Sequence, residues 1–186
     1  TSIALGDFNG DAKLDVVMGD VQTRQVGVSF GSGAGRTFSD DMNSNPKSTG
    51  PVAPSFIAAG NVNGDAWDDI VYVDSSTGRV GVLLSTGGAP SFADPVFYES
   101  GGIGASAIAV RDLTGDVWPD IVITNTATAS ISIMLNDGAG NFPKFTAYAT
   151  GGSDSCNPRA LRTRASKLCA PAAVVSVSVS MDSMGT

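Results

Sequence analysis

The chain has no histidine at all and only two cysteines among its 186 residues. Without histidine it lacks the commonest general base and the usual transition-metal ligand. Ser-His-Asp, Cys-His and histidine-bound zinc sites are therefore excluded together. The two cysteines, Cys156 and Cys169, both lie in the tail. They close a short loop if oxidised, which would suit secretion, or stand as two free thiols. Charged residues are also scarce, at 16%, and the balance is acidic, with a net charge of -7 and a pI near 4.3. That balance speaks against a nucleic-acid partner, because phosphate neutralisation needs clustered Lys and Arg. A cation is the better partner. No apolar run reaches the roughly 18 residues that span a bilayer, so no membrane insertion is expected. The first residues lack the basic-then-apolar layout of a signal peptide, and the sequence enters a repeat directly at Thr1-Ser2-Ile3.

What is abundant is glycine, with 23 copies, set among Ser, Thr and a 42% hydrophobic fraction. This composition describes a folded chain of short strands joined by turns, that is, an all-β protein. Sixteen of the eighteen acids but seven of the eleven basic residues precede Gly151, so the tail is mildly basic.

An internal repeat organises the sequence. Ala4-Leu5-Gly6-Asp7-Phe8-Asn9-Gly10-Asp11-Ala12-Lys13-Leu14-Asp15-Val16-Val17 aligns with Ala58-Ala59-Gly60-Asn61-Val62-Asn63-Gly64-Asp65-Ala66-Trp67-Asp68-Asp69-Ile70-Val71. A third copy runs from Ile108 through Asp112-Leu113-Thr114-Gly115-Asp116-Val117-Trp118-Pro119-Asp120 to Val122. Downstream, Gln25–Phe30, Arg79–Leu84 and Ser130–Leu135 correspond as strands. Each precedes a glycine-rich turn and an aromatic: Phe38, Phe92 and Phe142. Each unit of roughly 50 residues thus predicts four short antiparallel strands, the last opening with the aromatic, which is a β-propeller blade. A β-sandwich also has many short strands, but gives no reason for near-identical units. The predicted units are about 1–50, 51–101 and 102–152. A tail, 153–186, follows, in which Ala172 to Ser180 alternates like a strand. Three blades do not close a ring, since closed propellers use about 4–8. The array is incomplete or assembles with other chains.

The acidic loop carries the chemistry. In a tight turn, alternate short oxygen-bearing side chains can point at one centre, and Ca2+ takes six to eight oxygens at about 2.3–2.6 Å. The candidate metal ligands are Asp7, Asn9, Asp11 and Asp15 in copy one, Asn61, Asn63, Asp65 and Asp69 in copy two, and Asp112, Thr114, Asp116 and Asp120 in copy three. The backbone carbonyls of Lys13, Trp67 and Trp118 would complete the shells. An EF-hand is excluded by position: its sixth-place glycine would fall on Ala12, Ala66 and Val117, and its twelfth-place Glu on Met18, Tyr72 and Ile123. Here the glycines, Gly10, Gly64 and Gly115, sit fourth. Ordinary polar turns also favour Asp and Asn, but three copies keeping acids at the fifth and ninth places against their mutual repulsion favour a cation. Copy two is the weakest, since Asn61 replaces an acid. Asp68 beside Asp69 either makes good that charge or is a solvated neighbour. Trp67 and Trp118 hold equivalent positions and read as packing between blades rather than as a sugar platform.

Over roughly residues 2 to 150 these units resemble FG-GAP repeats, also called VCBS repeats, of integrin α-subunit propellers and many bacterial extracellular proteins. Phe30-Gly31 and Gly88-Ala89-Pro90 echo the two halves of the family name, and the acidic loops match its calcium loop position by position. Asn61, Thr114 and a chain short of the family's usual seven blades are departures. The resemblance implies a calcium-binding, extracellular propeller, secreted or at the cell surface, with a role in cell adhesion, ligand binding or scaffolding. Its partner would be a protein or carbohydrate at the cell surface or matrix. Self-association through blade edges and the tail strand, as in a filament or sheath, is one alternative. A fragment of a calcium-dependent carbohydrate-active enzyme is another. With no nucleophile-base pair visible, catalysis is not expected.

Overall fold

The computed structural model describes residues 1–33, 38, 46–87 and 91–150. The tail strand, the Cys156–Cys169 pair and the Gly88-Ala89-Pro90 phrase lie outside the described residues. Twelve strands, and no helix among the described residues, make up the first unit, Thr1–Thr150. No helix long and apolar enough to cross a membrane occurs there.

The strands are β1 (Ser2–Gly6), β2 (Asp15–Asp20), β3 (Gln25–Ser29), β4 (Lys47–Ser48), β5 (Phe56–Gly60), β6 (Asp69–Val73), β7 (Arg79–Leu83), β8 (Val96–Glu99), β9 (Ala105–Arg111), β10 (Asp120–Asn125), β11 (Ser130–Met134) and β12 (Phe145–Ala149). They form three four-stranded antiparallel sheets, each in sequential order. This is the all-β, three-blade architecture expected from the repeat, and the sheets do not close into a ring. Each acidic loop joins the first strand of its blade to the second. Register is equivalent in the copies: Leu5 pairs with Val16, Ala59 with Ile70 and Val110 with Ile121.

Burial along the second strands shows how the blades stack. In β2 buried and half-buried residues alternate, whereas every residue of β6 is buried. A strand packed on one face alternates; one packed on both faces does not. Blade two is accordingly sandwiched. Its Ile70, Tyr72 and Leu83 join Val17, Val26 and Val28 of blade one in one core. Its Val71, Val73, Val80 and Val82 join Ile121, Ile123 and Met134 of blade three in another. Since about 25 cal/mol accrues per Å² of apolar surface removed from water, these inter-blade cores, rather than the single sheets, hold the array together.

One expectation is corrected. The aromatics Phe38, Phe92 and Phe142 do not open the fourth strands. Phe38 and Phe92 form isolated bridges to Gly31 and Ser85, and the strands begin later, at Lys47, Val96 and Phe145. A proline stands just ahead of each: Pro46, Pro95 and Pro143. Proline has no N–H to give to a ladder, so pairing starts beyond it. Phe92 and Phe142 turn inward instead, while Phe38 is exposed. Phe92 meets Phe8 edge-on at 6.2 Å, and Phe142 meets Tyr98 edge-on at 5.8 Å.

Candidate metal-binding loops

The ninth-position carboxylates Asp15, Asp69 and Asp120 are fully buried. Each holds two backbone N–H groups, one from the second residue of its own loop and one from the second residue after the third strand. Asp15 accepts from Phe8 (3.0 Å) and Gly31 (2.9 Å), Asp69 from Val62 (2.8 Å) and Ser85 (2.8 Å), and Asp120 from Leu113 (3.1 Å) and Asn136 (2.9 Å). A neutral side chain of this size could not accept at both ends equally well. Burial pushes the Asp15 carboxyl above its ordinary range, and the nearby Asp11 and Asp7 charges add to this against the opposing N–H bonds. Burial likewise pushes Asp69 up to about 6, opposed by its N–H partners and reinforced by Asp65.

The first position organises the turn. In copy one, Asp7 Oδ1 accepts from the N–H groups of Gly10 and Asp11, and Oδ2 accepts from Ala12 at 2.7 Å. Copy three shares the fourth- and sixth-residue bonds, with Asp112 accepting from Gly115 and Val117, and adds one from the third residue, Thr114. These bonds hold the sixth residue in the left-handed region, at φ 60 for Ala12 and φ 71 for Val117, a conformation that costs a β-branched residue most. Copy two differs. Asn61 still accepts from Gly64 through Oδ1, but its Nδ2 donates to the carbonyl of Asp65. A carboxylate calls for the N–H of the peptide between the fifth and sixth residues, and an amide N–H calls for its C=O. The Asp65–Ala66 peptide is therefore turned over, and Ala66 has no positive φ.

At the third and fifth positions, Asn9 and Asn63 each accept from the N–H of the fifth residue. Asp11, Asp65 and Asp116 each accept from the N–H of Lys13, Trp67 and Trp118 through Oδ1. The second oxygen of Asp11 binds Lys13 Nζ at 2.9 Å, and that of Asp65 takes Asn63 Nδ2 at 2.8 Å. Thr114 takes part through its backbone N–H. Among the described residues no three Asp, Glu or Cys side chains converge as a ready-made cage. The loops bring the ligand candidates of each copy into one turn, yet direct the first and ninth carboxylates onto backbone N–H groups. Carboxylate oxygens keep further lone pairs after such bonds, and an all-oxygen, acidic donor set suits a hard divalent cation. That fit is best in copies one and three. In copy two, two amide N–H groups already cross-link the turn.

Several residues outside the ligand set connect one loop to the next. Asp68 neither compensates for Asn61 nor stands as a solvated neighbour. Its Oδ2 accepts from Asp7 N–H and its own N–H donates to the Asp7 carbonyl, a reciprocal pair between loops two and one. Ser85 Oγ donates to the Phe8 carbonyl and Asn136 Nδ2 to the Val62 carbonyl, so the second residue after the third strand also reaches the preceding blade. The tryptophans do the same with their faces. Trp67 lies between Gly10 of blade one and Gly87 of its own blade, and Trp118 between Gly64 of blade two and its own Gly138. Packing between blades, rather than a sugar platform, is their observed place.

Residues 61–123 match the family described as FG-GAP-like repeat. That stretch is similar to an FG-GAP-like repeat. The matched FG-GAP-like segment opens on Asn61, the first position of loop two, and ends at Ile123 in β10, so it includes both loops bridged by Trp118. Among solved structures the chain is similar to an Agrocybe aegerita lectin described as specifically recognising non-reducing terminal N-acetylglucosamine. Identity is 25% and the TM-score 0.53, over 76% of this chain. The likeness spans 36% of the lectin chain. No curated protein matches the sequence.

Proposed function

We propose that this chain is part of an extracellular, calcium-stabilised β-propeller that binds a carbohydrate through the surface its blades present, without catalysing a reaction. The observation that carries the reading is the likeness of the three-blade array to the lectin, in a chain whose residues 61–123 match an FG-GAP-like repeat. What supports calcium is the donor chemistry of loops one and three, where Asp7, Asn9, Asp11 and Asp15, and Asp112, Thr114, Asp116 and Asp120, offer oxygens only. When bound, the ion would neutralise these carboxylates. The residues themselves already set the turn, fix its peptide planes and tie it to the third strand.

Titration calorimetry with glycans ending in N-acetylglucosamine, against glycans capped by other sugars, tests the ligand class. Saturable binding to some member is expected, with the glycan recovered unchanged. Absence of binding to every glycan in the set, in calcium-containing buffer, overturns the carbohydrate reading. Turnover of a bound glycan overturns the non-catalytic part.

A further inference from the structure

The start of loop one is held from the neighbouring blade. Asp7 and Phe8, its first two residues, carry four main-chain polar groups, and such groups need partners where water is scarce. Three of the four meet blade two. The Asp7 N–H donates to Asp68 Oδ2 at 2.9 Å, the Asp7 carbonyl accepts from the Asp68 N–H at 2.8 Å, and the Phe8 carbonyl accepts from Ser85 Oγ at 3.1 Å. The fourth, the Phe8 N–H, is held within blade one by Asp15. Gly6 leaves room for this arrangement, since a Cβ there would come within 2.9 Å of Asp68 Oδ2.

The joint between blades two and three lacks the Asp68 pair. The eighth residue of loop three is Pro119, which has neither an N–H nor a carboxylate to offer Asn61. Asn136 Nδ2 there spans the Val62 and Pro119 carbonyls instead. The difference follows the first loop position. Asn61 closes its own turn, donating to the Asp65 carbonyl. Asp7 has no donor of its own, and its carboxylate collects the N–H groups of Gly10, Asp11 and Ala12. With its peptide groups pinned on both sides by Asp68, Asp7 has only side-chain torsions left to order when its oxygens meet a ligand, which lowers the cost of binding.

We propose that Asp68 of blade two is a positioning residue for the cation of loop one, acting through Asp7, so that loop one is a site shared across the joint between two blades. The inference rests on the calcium reading of loop one. Coupling of this kind is reciprocal: whatever factor the Asp7–Asp68 pair adds to ion affinity, the bound ion adds to the stability of the pair. Loop three, which Asp68 does not touch, serves as the internal reference.

Titration calorimetry of the full chain with Ca2+ alone as the probe is the test. Two ions are expected, one of which Asp7→Ala removes. Asp68→Ala should weaken that same ion about 10-fold or more, whereas Asp68→Asn, which keeps the N–H and an acceptor oxygen, should stay within about threefold of the parent. The ion of loop three should keep its affinity in both, and Asp68→Ala added to Asp7→Ala should change nothing further. In the parent chain, where no substitution disturbs folding, saturating Ca2+ should slow hydrogen exchange of the Asp68 N–H by the same factor that Asp68→Ala costs in affinity. Unchanged binding in Asp68→Ala, an equal loss of both ions, an Asp68→Asn chain as weak as the alanine one, or Asp68 N–H exchange indifferent to Ca2+ overturns the proposal and leaves the calcium reading standing. Ca2+ binding that is absent from the parent, or untouched by Asp7→Ala, overturns the calcium reading of loop one and this inference with it.

Discussion

The indole of Trp67 lies so close to Gly10 that a Cβ placed on the glycine would come within 2.7 Å of Nε1. The two residues are 57 positions apart and belong to different blades, so the fourth loop position is set by the neighbouring blade as much as by its own turn.

Gly10 and Gly115 share a left-handed backbone, at φ 77 and φ 81, but differ in their surroundings. Gly10→Ala should cost about 2–4 kcal/mol, combining backbone strain with overpacking against Trp67. Gly115→Ala meets no neighbour within 4 Å among the described residues and should cost about 1 kcal/mol, the strain alone. Urea unfolding of the two variants measures the difference, and equal costs would show that the indole contact does not restrict this glycine.

Asp69→Asn tests what the buried carboxylate is for. The amide removes a charge that burial disfavours, but it faces an N–H donor at each end and can accept at only one. The second effect should win, with a loss of about 1–3 kcal/mol. Stability gained on this substitution would show that desolvation outweighs the two hydrogen bonds.

The same group gives a pH signature in calcium-free buffer. Its folded pKa, about 6, lies above the ordinary 3.8, so between these values the folded state binds the extra proton. Its contribution therefore favours folding as pH falls from about 6.5 to 4.5, and the Asp69→Asn variant should lose that rise. Differential scanning calorimetry of the two proteins over this window reads it directly.

Asn61→Asp should convert loop two to the form of the other loops, because a carboxylate cannot donate to the Asp65 carbonyl and would instead draw the Ala66 N–H. If calcium binds as proposed, calorimetric stoichiometry should rise by one ion per chain. An unchanged stoichiometry would dismiss the first position as the discriminating residue.

Removing calcium with a chelator should lower the melting temperature by several degrees, since an ion present at about 100 times its dissociation constant contributes about 2.7 kcal/mol. No shift in the parent protein and in Asp7→Ala alike would remove calcium from the proposal.

Much of this architecture is legible because the repeat fixes it in triplicate. The third strands appear where Gln25–Phe30, Arg79–Leu84 and Ser130–Leu135 place them, to within one residue. The tryptophans pack between blades because a large side chain recurring opposite a loop glycine has few other places to go. What was hidden is relational. Asp68 looks like a companion of Asp69, yet its partner is Asp7, 61 residues away, and no local pattern announces that pairing. The aromatics suggest the starts of the fourth strands, but Pro46, Pro95 and Pro143 mark the true limit of pairing. The turned-over peptide of loop two follows from a single Asp-to-Asn difference, visible in sequence as a missing charge but not as a reversed hydrogen bond.

The ninth-position aspartates also bear on how the chain acquires its shape. Asp15, Asp69 and Asp120 each fasten an N–H seven residues back and another 16 residues ahead. Such short spans close with little loop entropy, so each blade can knot itself together before its neighbour arrives. The joints, which link residues such as Phe8 and Ser85 across 77 positions, must come afterwards. Folding in this protein should thus proceed blade by blade along the chain, with the stacking of finished blades as the slow step.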